Sequence, residues 1–283
     1  MKKKPSEPCY YPSALTIAGS DSGGGAGIQA DLRTFNAFGV FGCSAITAVT
    51  SQNPLRVDRI DPIAPAGVTA QINAVCDVIP LRWAKSGMLF NAEIVEAVAA
   101  AVAERRLQLV CDPVMVATSG AVLLESGAVK MVRERLIPVA EWITPNLPEA
   151  ELLLEHRIDD EAGMVAAARE IHDRWGTSVL LKAGHCAGKG RIADIVCRNG
   201  ECFRLSSPRL EVGAHAAHGT GCTLSAALTA GLTLGFSWKQ ALCEAKAFVY
   251  GSLNERVELG SDIEAMYPPT EDTINEINLE SAD

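Results

Sequence analysis

Apolar residues along the chain fall into short strand-length runs separated by longer stretches of helical spacing. Residues 14–19 (ALTIAG) form a run suited to a buried strand and end in a polar, glycine-rich turn. Residues 28–38 follow with Ile28, Leu32, Phe35 and Phe38 at the spacing of one helix face. A second strand-length run covers 43–49. Residues 83–87 lead to a helix near 92–104, and 107–111 form a strand that closes on Asp112 and Pro113. A helix near 127–135 precedes a strand over 142–144, which Pro145 ends, and helical stretches at 148–154 and 161–175 lead to a strand over 178–182. Segments 192–197 and 202–205, joined by Arg198-Asn199-Gly200-Glu201, read as a β-hairpin. The chain closes on helices near 220–234 and 238–253.

Strands separated by helices are βαβ units, which produce a mostly parallel sheet covered on both faces. The pattern predicts an α/β fold in a single domain over 14–258, with a small β-hairpin. A Lys- and Pro-rich flexible tail precedes it over 1–13, and a C-terminal tail follows over 259–283. In such sheets ligands bind beyond the carboxyl ends of the strands. That rule singles out the loops after Ala18, Val49, Ser86, Cys111, Thr144 and Lys182.

Composition narrows the class. At 48% hydrophobic and 21% charged residues, the 283-residue chain is globular rather than disordered. A net charge of −9 without a basic block argues against nucleic-acid binding through the phosphate backbone, while leaving room for a local basic pocket. The nine cysteines are odd in number and scattered, with no C-x-x-C pair, which suits a reducing compartment. Lys2 to Lys4 have no apolar segment behind them, so no signal peptide is expected. The most apolar helical run, around 93–103, carries Glu93 and Glu96, meets Glu104, and is too short to span a bilayer. These features predict a soluble cytoplasmic protein.

Three loops carry candidate chemistry. Five glycines within residues 19–27 let the backbone approach a ligand and leave amides free. The spacing fails the dinucleotide fingerprint, since Ile28 stands three residues after Gly25, and 184–190 fail the P-loop pattern. A tight βα turn would look similar. In the second loop, Gly219-Thr220-Gly221 opens a small-residue helix, where amides and the positive helix end suit a transferring phosphoryl group. Cys222, in the first turn, would have its thiolate favoured by the same dipole. Glycines that merely allow close helix packing are the plainer alternative. In the third, Asn146 and Glu149 stand three apart at a helix start. That is the spacing of a capping box, and equally of two oxygens beside a Mg²⁺ and its waters.

Together these stretches resemble the ribokinase-like superfamily and, within it, the hydroxymethylpyrimidine and phosphomethylpyrimidine kinases of thiamine biosynthesis. The pieces carrying the resemblance are ALTIAGSDSGGGAGIQADLRTF (14–35), CSAITAVTSQN (43–53), SGML (86–89), DPVM (112–115), TPNLPEA (144–150) and HGTGCTLSAAL (218–228). The resemblance implies in-line transfer of the ATP γ-phosphate to a primary alcohol. Cys222 would accept the hydroxyl proton, and the amides of Gly219, Thr220 and Gly221 would stabilise the transferring group. Asn146 and Glu149 would organise Mg²⁺ and phosphate, Asp112 would help the metal, and Lys182 would lie near the ATP phosphates. For the substrate, it implies pairing of Gln52 with a pyrimidine edge. Polar contacts would come from Asp31 and Gly19, and apolar walls from Met88 and Val114. It also implies a homodimer. The chain departs from relatives at 212–217, before the anion hole, where the lid over the nucleotide is expected. His215 and His218 are expected to be structural or hydrogen-bonding residues.

The leading expectation is therefore a kinase acting on a hydroxymethylpyrimidine and then on its monophosphate. A pyridoxal or pyridoxine kinase shares the fold and the ATP chemistry. A non-catalytic pyrimidine-binding regulator would have lost the metal or base positions, yet Asn146, Glu149, Gly221 and Cys222 are all present.

Overall fold

Strand and helix alternate along most of the chain in the computed structural model, which describes residues 10–115, 123–125, 127–183, 190–213, 217–260 and 263–282. The first half contains β1 (Ser13–Asp21), α1 (Gly27–Ala37), β2 (Phe41–Asn53), β3 (Arg56–Pro62), α2 (Pro65–Cys76), β4 (Trp83–Ser86), α3 (Ala92–Arg105) and β5 (Gln108–Cys111). It continues with the short α4 (Ala128–Met131), β6 (Ala140–Ile143), α5 (Leu147–Leu154), α6 (Glu161–Trp175) and β7 (Ser178–Leu181). The hairpin β8 (Arg191–Arg198) and β9 (Glu201–Pro208) leads to α7 (Thr220–Thr233) and α8 (Trp238–Asn254), followed by β10 (Val257–Gly260), β11 (Ile263–Ala265) and β12 (Asn278–Ser281).

One ten-stranded sheet organises these elements in the order β12-β9-β8-β7-β6-β5-β4-β1-β2-β3. Its centre is parallel from β2 through β7, and its edges are antiparallel. Side chains on the central strands alternate between two apolar layers, as the two-residue period of a strand requires. Leu109, Ile143, Val179, Leu181 and Ile195 face the layer formed with α3, α5 and α6. Val110, Trp142, Leu180 and Val196 face α7 and α8, while α1 packs beside α7 through Phe35, Ala226 and Ala230. Both faces are buried, which is why these strands read as continuous apolar runs.

Local signals explain several boundaries. Asn199 and Gly200 both have positive φ (53° and 79°), the two-residue turn that matches the twist of a hairpin. Asp160 caps α6 through the Gly163 amide, and Gly176 (φ 70°) ends it in the left-handed region.

Elsewhere the structure corrects the pattern. Gln52 lies in β2, not in a loop, because β2 runs on to Asn53 and folds back into β3. Arg56, Asp58, Arg59 and Asp61 leave β3 with no apolar period to detect. The expected C-terminal tail also carries structure: β10 pairs with β11, and β12 joins the main sheet beside β9. NLES is too short and polar to announce a strand, so β9 imposes its conformation. Of the expected N-terminal tail, residues 1–9 lie outside the described residues, as do 214–216 of the expected lid. Among the described residues, no helix is long and apolar enough to cross a membrane.

Candidate active site

The carboxyl ends of β1, β2, β4, β5 and β6 and the start of α7 enclose a cavity of about 270 Å³. Gly19, Gln52, Met88, Asp112, Val114, Asn146, Glu149, Lys182, Gly219, Thr220, Gly221 and Cys222 all line it. Sequence positions scattered over two hundred residues thus meet at one place. Gly19 is needed for close approach: a β-carbon there would lie 3.3 Å from Met88 Sδ.

The glycine-rich turn after β1 folds around Asp21. Its carboxylate accepts from the amides of Gly23 and Ala26, both at 2.8 Å, and from His218 Nε2 at 3.0 Å. Burial alone would raise the Asp21 pKa, but these hydrogen bonds hold it below the ordinary carboxylate range. The turn is locked to the start of α7, because Gly219 has φ 83° and a β-carbon there would overlap the Gly25 carbonyl. At this helix start the Thr220 amide donates to Ala217 O at 3.2 Å. Free donors therefore shift one residue along from the expected set, to Gly221 and Cys222, which have no carbonyl partner among the described residues.

Cys222 does not have the favoured thiolate that the helix dipole suggested. Burial, reinforced by Asp31 and Asp112, outweighs Lys85 and the Gly27 amide that donates to the sulfur, and pushes the thiol up to about 11. The charge balance beneath it is set by Lys85, which sequence reasoning missed. Lys85 Nζ donates to both oxygens of Asp31, at 2.8 and 2.9 Å, and Thr16 Oγ1 adds a third hydrogen bond at 2.6 Å. Lys85 and Asp31 are fully buried. Asp31 is thereby corrected as a substrate contact: its oxygens are committed, and it lies outside the cavity wall, while Lys85 lines it. A lysine in the middle of the apolar strand β4 was the available signal.

On the opposite wall Lys182 Nζ donates to Asp112 Oδ1 at 2.9 Å, and Thr144 Oγ1 donates to the same oxygen at 3.1 Å. Ser225 Oγ lies 3.2 Å from Oδ2. Burial would raise Asp112, yet Lys182 and Lys85 hold it ionised, below the usual range. Asp112 is therefore already paired, which moves the expected metal contribution to Glu149. Asn146 and Glu149 form a complete capping box, with Glu149 N to Asn146 Oδ1 at 2.9 Å and Asn146 N to Glu149 Oε2 at 2.8 Å. The capping and functional readings are both realised, since the pair also lines the cavity. Burial, with Asp112 beside it, pushes Glu149 up to about 7 against the pull of Lys182. Two buried carboxylates facing one ammonium leave a deficit of positive charge, which a divalent cation would fill. Among the described residues no three His, Cys, Asp or Glu side chains cluster to hold a metal alone. The residues therefore fit Mg²⁺ that shares its coordination with phosphate oxygens and water.

A second cavity of about 630 Å³ opens on the far side of the same wall. It is lined by Leu210, Val212, Leu224, Tyr250, Asp194 and Lys246 among others, and shares Lys182, Thr220 and Gly221 with the first. Lys246 Nζ donates to Asp194 Oδ2 at 2.7 Å, and Asp194 Oδ1 accepts from the Ala183 amide at 3.0 Å, which anchors the backbone next to Lys182. None of these side chains stood out in the sequence, because each comes from a different element.

Two cavities separated by an amide-rich helix start and a paired lysine define a phosphotransferase of the ribokinase-like fold. A staphylococcal pyridoxal kinase, solved in complex with pyridoxal, superimposes with a TM-score of 0.86 at 28% identity, covering 97% of this chain and all of that one. A phosphomethylpyrimidine kinase structure from Clostridium difficile gives 0.73 at 37% identity, over 84% and 97% of the two chains. A hydroxymethylpyrimidine/phosphomethylpyrimidine kinase from Synechococcus elongatus is 45% identical over 249 residues, 88% of this chain and 94% of that protein. The chain spans half the length of a thiamine biosynthesis bifunctional protein from Geobacter sulfurreducens, also 45% identical. The family profile for phosphomethylpyrimidine kinase matches residues 21–267, and the chain belongs to that family.

Proposed function

We propose that the protein uses Mg·ATP to phosphorylate 4-amino-5-hydroxymethyl-2-methylpyrimidine and then its monophosphate, in thiamine diphosphate biosynthesis. The observation that carries this reading is the shared wall. The smaller cavity, with Gln52 at its polar edge and Met88 and Val114 on its apolar sides, suits the acceptor. The larger suits the nucleotide, and both open on Lys182, Thr220 and Gly221.

The alcohol oxygen attacks the γ-phosphorus as the bond to the β–γ bridging oxygen breaks and ADP leaves. Lys182 and the amides of Gly221 and Cys222 stabilise the charge on the transferring group. Mg²⁺ brought in with the nucleotide neutralises phosphate charge, and Glu149 with Asn146 flanks it. The alcohol proton passes to the Cys222 sulfur. With the thiol pushed up to about 11, the ionised form able to take it is a minor species at neutral pH. A loose transition state, in which the nucleophile develops little charge before transfer, tolerates such a weakly populated base.

A cytoplasmic location belongs to the same reading, supported by seven free cysteines among the described residues. So does a homodimer, supported by the edge position of β3 and the exposed Phe41, Val49 and Leu55 around it. The close superposition on a pyridoxal kinase favours vitamin B6 salvage as the second reading. The test is turnover of Mg·ATP with the pyrimidine alcohol and with pyridoxal in parallel, products resolved by mass. Successive monophosphate and diphosphate from the pyrimidine support the proposal; phosphorylation of pyridoxal alone overturns it.

A further inference from the structure

His218 has no place in the chemistry above, yet it is the only side chain that reaches both the glycine-rich turn and Gln52 among the contacts described. Its Nε2 lies 3.0 Å from Asp21 Oδ2 and 3.5 Å from Gln52 Nε2. The ring is immobilised: its side chain is 10% exposed, Asp21 is 3% exposed, and a β-carbon on Gly25 would lie 2.6 Å from its Cδ2. A ring nitrogen facing a carboxylate must carry the proton, so it has no lone pair to offer an amide NH₂. On its other side Gln52 meets Thr50. The Thr50 hydroxyl gives its one proton to Ser20 O at 2.8 Å, and Gln52 Oε1 lies 3.5 Å away. That leaves a hydroxyl with only acceptor capacity against a carbonyl oxygen.

Both conflicts disappear in one orientation of the carboxamide, turned by 180° so that its oxygen faces His218 N–H and its NH₂ faces Thr50 Oγ1. We propose that His218, held as an N–H donor by Asp21, is the positioning residue that fixes the order of donor and acceptor Gln52 presents to the substrate. In that orientation one N–H and one oxygen lone pair remain in a set order. This matches an amidine edge, an exocyclic amine beside a ring nitrogen, as in an aminopyrimidine. A pyridine whose ring nitrogen is flanked by a methyl group has no such edge. The assignment rests on the pyrimidine reading above, and deepens it by naming what sets ring recognition.

The test compares the wild type with His218→Leu, His218→Gln and Asp21→Asn for Mg·ATP turnover on the pyrimidine alcohol and on pyridoxal. Glutamine in place of His218 puts an N–H where Nε2 stands, while leucine removes it. In Asp21→Asn the new carboxamide can donate to the ring and so force the opposite tautomer. The expected result is a KM for the pyrimidine raised about tenfold in His218→Leu and Asp21→Asn, as loss of one ordered hydrogen bond predicts. kcat should change about twofold or less, and the preference for pyrimidine over pyridoxal should fall with the KM. His218→Gln should restore KM. An unchanged KM, or equal losses of kcat for both substrates, overturns the proposal. If His218→Leu does not fold, Asp21→Asn against the wild type decides it. Absence of pyrimidine turnover by the wild type overturns the functional reading and this inference with it, whereas normal wild-type turnover with unaffected variants overturns this inference alone.

Discussion

Gly221 occupies the first turn of α7 on the wall that the two cavities share, and a β-carbon there would lie 3.1 Å from Lys182 Nζ and 3.8 Å from Asp112 Oδ2. Its backbone is outside the positive-φ set, so alanine fits the helix without strain. Alanine in place of glycine within a helix stabilises by roughly 0.5–1 kcal/mol, and the lower end applies at a first turn. Gly221→Ala should therefore melt at the wild-type temperature or about 1–2 °C above it. Activity should respond in the opposite sense. The ammonium is the far end of a flexible chain and can yield by a few tenths of an ångström, but its partner is a buried carboxylate with 1% exposure. The displacement shifts the cation away from the phosphoryl path. Misplacement approaching 1 Å costs about 10²-fold in rate, so a smaller shift should lower kcat about tenfold. The assay is ADP release with the pyrimidine alcohol, paired with a thermal melt on the same preparation. A variant with full kcat would refute the placement of Lys182 on the transfer path. One that melts several degrees lower would refute the packing argument.

Replacing Cys222 by alanine should lower kcat about 10²-fold and change its pH profile. The base is the ionised sulfur and the thiol is pushed up to about 11, so wild-type kcat should climb through pH 7 to 10. The alanine variant should lose that climb, and parallel profiles would remove Cys222 from proton transfer. Glu149 is pushed from 4.5 to about 7, so the native state binds more protons than the unfolded chain across that window. Stability of the ligand-free protein should accordingly fall as pH rises from about 5 to 7. Glu149→Gln should remove that part of the decline in urea melts, and an unaltered slope would assign it elsewhere. Lys85→Met leaves the Asp31 carboxylate buried without its cation and should cost about 3–5 kcal/mol in the same melts, with Lys85→Met/Asp31→Asn recovering part of it. A loss below about 1 kcal/mol would mean that Asp31 is protonated in the fold.

The elements whose evidence lies within a few residues were legible without any structure. Runs such as 107–111 and 178–182 are apolar throughout because both faces of a central strand are covered, and that burial writes the same signature wherever it occurs. Asn199-Gly200 marks its turn because few residues adopt two consecutive positive φ angles. The spacing of Asn146 and Glu149 is that of a capping box because one turn of helix brings them together. The motif order, with the rule that ligands bind at the carboxyl ends of parallel strands, identified the loops that form the cavity.

Tertiary structure alone decided the rest. The edge strands β3 and β12 carry no apolar period, and pairing with a neighbour gives them their conformation. Asp31 looked like a substrate contact until the fold placed Lys85, 54 residues away, against it. His218 looked structural until Asp21, 197 residues away, supplied its acceptor. The larger cavity is assembled from β8, β9, α7 and α8, and no single segment announces it. The proton on Cys222 depends least on local sequence: the helix dipole argued for a thiolate, and burial beside two carboxylates decided for the thiol. Sequence pattern reports which face of an element is apolar, a property of near neighbours. The partners and charge of a buried polar group depend on desolvation and on what converges from elsewhere in the chain, which exist only once the chain has folded.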